Sequence, residues 1–234
     1  MLIHILRSDF SPQDKFIIIV AFLLSAMVAI ILHEVAHGYV AKLNGDDTAK
    51  MMGRLSLNPA KHFDPLGFLM FAIVGFGWAK PVPINPNNFK NYKKGVITTS
   101  LAGVFANLIC SFVSFGLLLA TVQIGIVTDV YNTAEVAVVI YKLFLYYFMY
   151  SAIINISLIA FNIIPVYPLD GFNVLSMITK PNNRVVMFLR RYGYYILLGL
   201  LLIGSVFPMF DVIGMYFSSI QGFILNLFTK IFGV

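Results

Sequence analysis

Charged residues are scarce in this chain of 234 residues: they make up 11% of it, while 59% of the residues are hydrophobic. This balance excludes an ordinary soluble domain, in which about a quarter of the residues are charged. Lys and Arg outnumber the acids, and the formal net charge is +6. Because these basic residues concentrate in particular loops, we interpret them as cytoplasmic loops of a membrane protein and not as a nucleic-acid surface.

Cysteine is almost absent too, since Cys110 is the single one. One cysteine excludes an internal disulfide and cannot build a thiolate zinc site. Cys110 lies within an apolar run, and we interpret it as a packing residue. A cleavable signal peptide is not expected, because the first apolar run is longer than a usual signal sequence and lacks a clear cleavage site.

Long uncharged runs are what the chain has in abundance. A membrane helix needs about 20 apolar residues, and we predict membrane segments at residues 16–43, about 96–122, within 143–169, 192–210 and 212–229. The last segment either spans the bilayer or lies on its surface. The predicted fold is an all-α polytopic membrane protein, one domain over residues 1–234, with a three-helix core at about 16–175 and C-terminal helices at about 188–230.

Residues 50–94 differ from the rest, because they combine basic residues with many prolines and glycines. Residues 52–59 alternate like a short strand, and residues 80–86 must be extended, since proline avoids helix. We predict a small membrane-associated β-hairpin here, whose edge can pair with an extended peptide; a connecting loop is the alternative. The apolar run 66–79 is too short to span the bilayer and is predicted to be a core, interfacial or re-entrant segment.

A His-Glu-x-x-His pattern, formed by His33, Glu34 and His37, ends the first uncharged run. Positions i and i+4 share one face of a helix, so both imidazoles can bind one ion. Glu34 lies on the flank of that face, where a general base for a hydrolytic water belongs. A carboxylate in the bilayer costs about 2.5–3.5 kcal/mol. This cost favours a zinc site over two core histidines that bond to neighbouring helices.

A third protein ligand is needed for a catalytic zinc site, and two residues are candidates. Asp170 follows two prolines that must unwind a helix end, and a broken helix at membrane depth is tolerated where it lines a protected cavity. His62, in the first basic loop, is the rival. The basic loops at 42–94 and 171–191 place the histidine pair and Asp170 toward the same, cytoplasmic side, which favours Asp170.

These residues resemble the two signatures of the site-2 protease family of intramembrane zinc metalloproteases. The first is His33-Glu-Val-Ala-His37 in a first membrane helix, and the second is Asn162-x-x-Pro165 leading to Leu169-Asp170-Gly171. Residues 53–59 and the Pro81-Val-Pro segment are similar to the short branch of that family. We therefore expect neither an inserted PDZ domain nor a CBS pair.

The resemblance covers about residues 25–175 and implies a three-helix catalytic core. It implies one Zn²⁺ ion on His33, His37 and Asp170, with Glu34 as the catalytic base. It also suggests that Asn107 holds the substrate carbonyl or the oxyanion. The second core helix of the family carries an Ala-Gly-Pro-x-x-Asn-like pattern, in which Val104 replaces the proline here.

The sequence thus predicts a zinc-dependent intramembrane endopeptidase that cleaves transmembrane segments of membrane-anchored proteins. We expect a multi-pass protein of the cell membrane, with its active site toward the cytoplasm. Its expected partners are the lipid bilayer and a membrane-protein substrate, without nucleic acid. Two alternatives stay open: a catalytically silent membrane protein of the same fold that binds or transports metal or binds a partner, and a peptidase that acts on soluble peptides.

Overall fold

The computed structural model describes residues 8–74, 79–180, 182–206, 209 and 211–233. Eight α-helices and three short 3-10 turns occupy this part of the chain. The helices are α1 Pro12–Leu43, α2 Thr48–Met51, α3 Pro65–Val74, α4 Tyr92–Val127, α5 Glu135–Ile163, α6 Asp170–Ile178, α7 Arg184–Val206 and α8 Val212–Phe232.

Five of these helices, α1, α4, α5, α7 and α8, are long and apolar enough to cross a membrane. Helix α4 has 36 residues and is therefore about 54 Å long at about 1.5 Å per residue. The hydrocarbon core of a bilayer is about 30 Å thick, so α4 extends beyond it. The prediction of an all-helical protein with about five membrane segments is confirmed, although α7 begins eight residues earlier than expected, and its predicted end at residue 210 lies outside the described residues.

Helices α1, α4 and α5 pack most extensively against one another and form the three-helix core. Small side chains let α1 approach α5 closely, as is usual between membrane helices: Ala21 and Ser25 are fully buried. The Ser25 hydroxyl donates to the carbonyl oxygens of Ala21 and Tyr147. On the other side of α5, Ile156 and Phe228 form an apolar cluster that attaches α8. Helix α7 packs mainly against α8.

Polar residues fix the ends of the core helices. The Ser11 side chain accepts from the backbone N–H of Asp14 and caps α1, and Asn91 caps α4 in the same way. Such caps satisfy N–H groups that have no partner within the helix. At the other end of α1, the Asn44 side chain donates to the Val40 carbonyl, and the chain turns at Gly45, whose φ is +110°.

Helix α5 ends at Ile163, and a new helix, α6, begins at Asp170. Pro165 and Pro168 lie between them, and proline lacks the N–H that a continuing helix needs. The expected unwinding before Asp170 is therefore present. This break lets the chain turn and brings Asp170 back toward the end of α1.

The prediction of a β-hairpin is wrong, because no strand occurs among the residues that the structure describes. Residues 80–86, called the strap below, contain no helix before the 3-10 turn that begins at Pro86, as the prolines require, and they have no ladder partner. The physical reason is that three of these seven residues are prolines, which cannot donate to a ladder. Of the apolar run 66–79, residues up to 74 belong to α3, and residues 75–78 lie outside the described part.

Candidate metal centre

Helix α1 presents His33 and His37 side by side near its end. The two Nε2 atoms are 2.9 Å apart, and each residue is 7% exposed. This follows from the helical period, which brings residues four apart onto one face. The i, i+4 pattern therefore gives two imidazole nitrogens at one point inside the protein.

Asp170, the first residue of α6, brings a carboxylate to the same point. Its Oδ2 atom lies 3.4 Å from Nε2 of His33 and 3.2 Å from Nε2 of His37. Oδ2 is buried and has no hydrogen-bond partner. A buried carboxylate oxygen without a donor is costly, so this atom points to a cation as its missing partner.

Hydrogen bonds on the far side of each ring orient both histidines. Nδ1 of His33 lies 2.7 Å from Oδ1 of Asn107, and Nδ1 of His37 lies 2.7 Å from the carbonyl oxygen of Thr99. Both partners are acceptors, so each neutral ring carries its proton on Nδ1. Two Nε2 lone pairs then face each other, an arrangement that a metal ion satisfies.

The spacing of the three atoms fits a zinc ion. Zinc binds His nitrogen and carboxylate oxygen at about 2.0–2.2 Å in tetrahedral geometry, which separates ligand atoms by about 3.3–3.6 Å. The observed separations of 2.9, 3.2 and 3.4 Å are close to that range. Within the part of the chain that the structure describes, His33, His37 and Asp170 are the group of His, Cys, Asp or Glu side chains that is close enough to share a metal ion.

Glu34 lies beside this group and is held by the strap. Its Oε2 atom accepts the backbone N–H of Val82 at 2.8 Å, and the carboxylate lines the same cavity as the three converging residues. One contact therefore fixes the position of Glu34 and also places the strap against the site.

Two further side chains hold the strap. The Arg54 guanidinium donates to the carbonyl oxygens of Lys80 and Pro81 at 2.7 and 3.1 Å. The fully buried Asp46 carboxylate accepts the backbone N–H of Asn85 and the amide of Asn88 at 2.7 and 2.8 Å. The strap is thus positioned by side chains from the segment that follows α1.

These bonds also affect the acidity of Asp46. Burial raises the pKa of its carboxyl. Hydrogen bonds from the Thr48 hydroxyl and from Asn85 and Asn88 lower the pKa by more than burial raises it, so the net pKa lies below the ordinary value. The ionised form is therefore the one that anchors the strap.

A cavity of about 430 Å³ opens above the converging residues. Its walls come from α1, the strap, α4, the broken end of α5, α6 and the start of α7. The lining residues include Glu34, Val82, Ile84, Tyr92, Thr99, Asn162, Asp170, Ser176, Met177 and Arg190. A cavity of this volume can hold a short extended stretch of peptide, but it is too small for an intact helix, which is about 10–12 Å across.

Two glycines allow the elements of the site to approach closely. A Cβ atom on Gly103 would meet Nδ1 and Nε2 of His33 at 2.5 and 2.6 Å. A Cβ atom on Gly171 would collide with the backbone of Ile163 and Ile164. Glycine at 103 therefore lets α4 lie against His33, and glycine at 171 lets α6 start directly beside the end of α5.

His62, the rival third ligand, is not part of the group. Its Nε2 donates to the Ser56 carbonyl at 2.7 Å, and the side chain is 2% exposed. The backbone carbonyl of His62 accepts from Lys80 N–H at 2.9 Å. His62 therefore holds the loop between α2 and α3 in place, and the structure brings Asp170 to the histidines instead.

Three contacts of the site escaped the sequence analysis. The Thr99 carbonyl and the Val82 N–H are backbone atoms, which every residue type offers, so residue identity carries no signal for them. The third contact joins Asn155 on α5 to Asn107 on α4, and a polar residue within a long uncharged run was the signal that could have indicated it.

A helical bundle that gathers two imidazoles, a carboxylate and a neighbouring glutamate at membrane depth belongs to the class of membrane metalloproteases. The chain belongs to peptidase family M50, whose family model matches residues 21–203.

Two named relatives agree with this family. Over 214 residues the chain is 35% identical to "Putative zinc metalloprotease YwhC" of Bacillus subtilis (strain 168), covering 89% of this chain and 91% of the relative. It is 24% identical over 202 residues to "Putative zinc metalloprotease Rip2" of Mycolicibacterium smegmatis, covering 84% and 72%. No solved structure matches the chain. The predicted site-2 protease family is confirmed, and the chain is a multi-pass membrane protein and a zinc metalloprotease.

Proposed function

We propose that this protein is an intramembrane endopeptidase that hydrolyses peptide bonds in or near the transmembrane segments of membrane-anchored proteins. One observation carries the proposal: Nε2 of His33, Nε2 of His37 and Oδ2 of Asp170 converge within 3.4 Å of one another inside a membrane bundle. In this proposal these residues hold one zinc ion, and the whole of residues 1–234 acts as a single domain.

The protein groups have distinct parts in the reaction. Bound zinc would supply Lewis-acid polarisation of the scissile carbonyl and would make water more acidic. Glu34 takes a proton from the attacking water and passes it to the leaving amine. The Val82 N–H donates to Oε2 of Glu34 and holds the carboxylate beside the cavity, which leaves Oε1 to act as the base.

Asn107 was expected to hold the substrate carbonyl or the oxyanion. Its Oδ1 faces His33, its Nδ2 donates to Asn155 at 2.9 Å, and the residue is 1% exposed. Because both ends of the amide have protein partners, we assign Asn107 to the positioning of His33. The cavity-lining Asn162 is a more accessible amide for the substrate.

The substrate is held extended in this proposal. A helical substrate has its carbonyls in hydrogen bonds, so a segment must unwind before cleavage. The strap lines the cavity beside Glu34, so an unwound segment can lie next to it, held by side-chain contacts in the cavity and not by a β-ladder with the strap. The site opens at the end of the bundle that carries the basic loops, which supports a cytoplasmic active site.

The experiment is a comparison of membrane peptides. The full-length protein and its Glu34→Gln variant are reconstituted separately with membrane fractions, and new peptide ends are quantified by mass spectrometry. We expect ends within transmembrane segments for the unchanged protein, a loss of at least 100-fold for Glu34→Gln, and unchanged zinc content in both.

Glu135→Gln is the matched control, since Glu135 is exposed at the start of α5 and should leave cleavage unchanged. Equal cleavage by Glu34→Gln refutes the mechanism. New ends only in soluble peptides would identify the soluble-peptide alternative, and zinc binding without any cleavage would identify the catalytically silent one.

A further inference from the structure

A buried series of hydrogen-bonded side chains, called the chain of hydrogen bonds below, links the metal centre to helix α5. The Asn155 amide donates from Nδ2 to the Ser151 carbonyl at 2.7 Å. Its Oδ1 accepts from Nδ2 of Asn107 at 2.9 Å, and Oδ1 of Asn107 lies 2.7 Å from Nδ1 of His33. Asn107 and Asn155 are each 1% exposed, so water does not compete for these bonds.

The Ser151 carbonyl determines which group donates and which accepts throughout the chain of hydrogen bonds. A backbone carbonyl accepts and never donates, so the amide of Asn155 must turn its Nδ2 toward Ser151 and its Oδ1 toward Asn107. Asn107 must then donate to Asn155 and present its own oxygen to His33. His33 therefore carries its proton on Nδ1, and its Nε2 lone pair is free for a metal.

The two histidines differ in what fixes their protons. Nδ1 of His37 faces the backbone carbonyl of Thr99, which cannot reverse its polarity. Nδ1 of His33 faces a side-chain amide, and an amide can turn by 180° and present an N–H instead. His33 thus depends on whatever prevents Asn107 from turning.

We propose that Asn155 is a positioning residue for zinc binding: by holding the amide of Asn107, it fixes the Nδ1–H tautomer of His33 from two bonds away. This inference rests on the zinc-ligand role proposed for His33. Without Asn155, the turned Asn107 amide stabilises the other tautomer, whose proton occupies Nε2 and must leave before zinc binds. Residues that hydrogen-bond to metal ligands and orient them typically contribute about 10- to 100-fold in metal affinity.

The first measurement is the zinc dissociation constant of the purified full-length protein, by competition with a chelator. We expect Asn155→Leu, which has the same branching of side-chain heavy atoms and no hydrogen bond, to weaken zinc binding about 10- to 100-fold. Asn155→Asp should stay within about threefold, because a carboxyl oxygen still accepts from Asn107. Asn155→Ala replaces the leucine variant if circular dichroism shows that the latter does not fold.

Ser114→Ala is the matched control. The Ser114 hydroxyl bonds that of Ser151 at 2.8 Å between the same two helices. The Ser151 hydroxyl is only a long second acceptor for Asn155 Nδ2, at 3.4 Å, and the Ser151 carbonyl that orients Asn155, at 2.7 Å, does not depend on Ser114. This variant should therefore leave zinc affinity within about twofold. A double variant adds a second control: in an Asn107→Leu protein, Asn155→Leu should weaken zinc binding no further.

The second measurement does not need zinc. In metal-free protein with ¹⁵N-labelled histidine, the His33 ring should show a protonated Nδ1, and Asn155→Leu should shift it toward the Nε2–H form. Unchanged affinity and tautomer in Asn155→Leu, or an equal loss in Asn155→Asp, overturns the inference and leaves the proposed function intact. Failure of the unchanged protein to bind zinc, or binding that survives His33→Ala, would instead refute the proposed function.

Discussion

Replacing Gly103 with alanine tests whether the metal centre needs the close approach of α4 to α1. The new Cβ would lie 2.5 Å from Nδ1 of His33, whereas ordinary van der Waals contact begins at 3.4 Å. The ring or helix α4 must therefore move by about 0.9 Å, the difference between those two distances. A helix backbone and a buried ring that is held at Nδ1 by Asn107 offer no flexible end that can yield easily.

Either movement displaces the metal centre. If the ring moves, Nε2 leaves a position that zinc tolerates only within about 0.2 Å. If α4 moves, the bond from His33 to Asn107 lengthens from 2.7 Å to about 3.6 Å, beyond hydrogen-bonding distance. Misplacement on the order of 1 Å can cost about 100-fold in rate. We expect Gly103→Ala to lose about 10- to 100-fold in zinc affinity and about 100-fold in cleavage.

The assay measures zinc content after purification and cleavage of a membrane substrate in proteoliposomes. Gly222→Ala is the matched control, because a Cβ at Gly222 in α8 meets nothing within 4 Å. That variant should keep full zinc and activity and gain about 0.5–1 kcal/mol of stability from helix propensity. Normal zinc content and turnover in Gly103→Ala would show that the site accommodates the methyl group and would refute this reasoning.

Three further predictions follow from the contacts of the site. Asp170→Ala should reduce zinc affinity at least 100-fold in chelator competition, because one of three ligands is lost. Val82→Pro removes the N–H that holds Glu34 and should lower kcat about 10- to 100-fold with zinc content unchanged, since a bond to a charged group contributes about 1.5–3 kcal/mol. Asp46→Ala should lower the free energy of unfolding by about 1.5–3 kcal/mol at pH 7, because it removes the hydrogen bonds that the ionised carboxylate accepts from Thr48, Asn85 and Asn88.

The Asp46 prediction also has a pH dependence. Because the folded pKa lies below the ordinary value, the ionised carboxylate stabilises the fold above about pH 4, the unfolded pKa. That stability is lost as the pH falls through the folded pKa. Thermal melting in detergent should therefore show an acid-induced loss that is smaller in Asp46→Ala; identical acid profiles would contradict the assignment.

Controls separate these effects from general damage. Val82→Ala keeps the backbone N–H and should retain activity, whereas loss in both variants would point to packing of the side chain. For Asp170→Ala, unchanged zinc affinity would remove this residue from the ligand set.

Much of the site could be predicted because its signals are local. His33 and His37 share a helix face because of their spacing alone. Two prolines predict the helix break that places Asp170 beside them. Five apolar runs were sufficient to predict five membrane helices. Helix ends were less accurate: α5 ends at Ile163, whereas the uncharged run continues to Leu169, because lack of charge does not show where the backbone turns.

The remaining features depend on contacts that residue types do not reveal. The alternation in residues 52–59 predicted a strand, but a hairpin needs a partner with free N–H groups, and the strap has few. The strap is held instead by Arg54, Glu34 and Asp46, which lie 26 to 48 residues away in the chain. Such long-range side-chain bonds have no periodicity that a sequence pattern can show.

The chemistry of the strap also has a consequence for self-association. Exposed extended edges invite pairing with a second copy, and crowding in the plane of a membrane favours such contacts. Pro81, Pro83 and Pro86 have no amide proton, and the N–H groups of Lys80, Val82 and Asn85 are already used within the molecule. An open protease cleft can therefore persist in a dense bilayer without becoming a template for polymerisation.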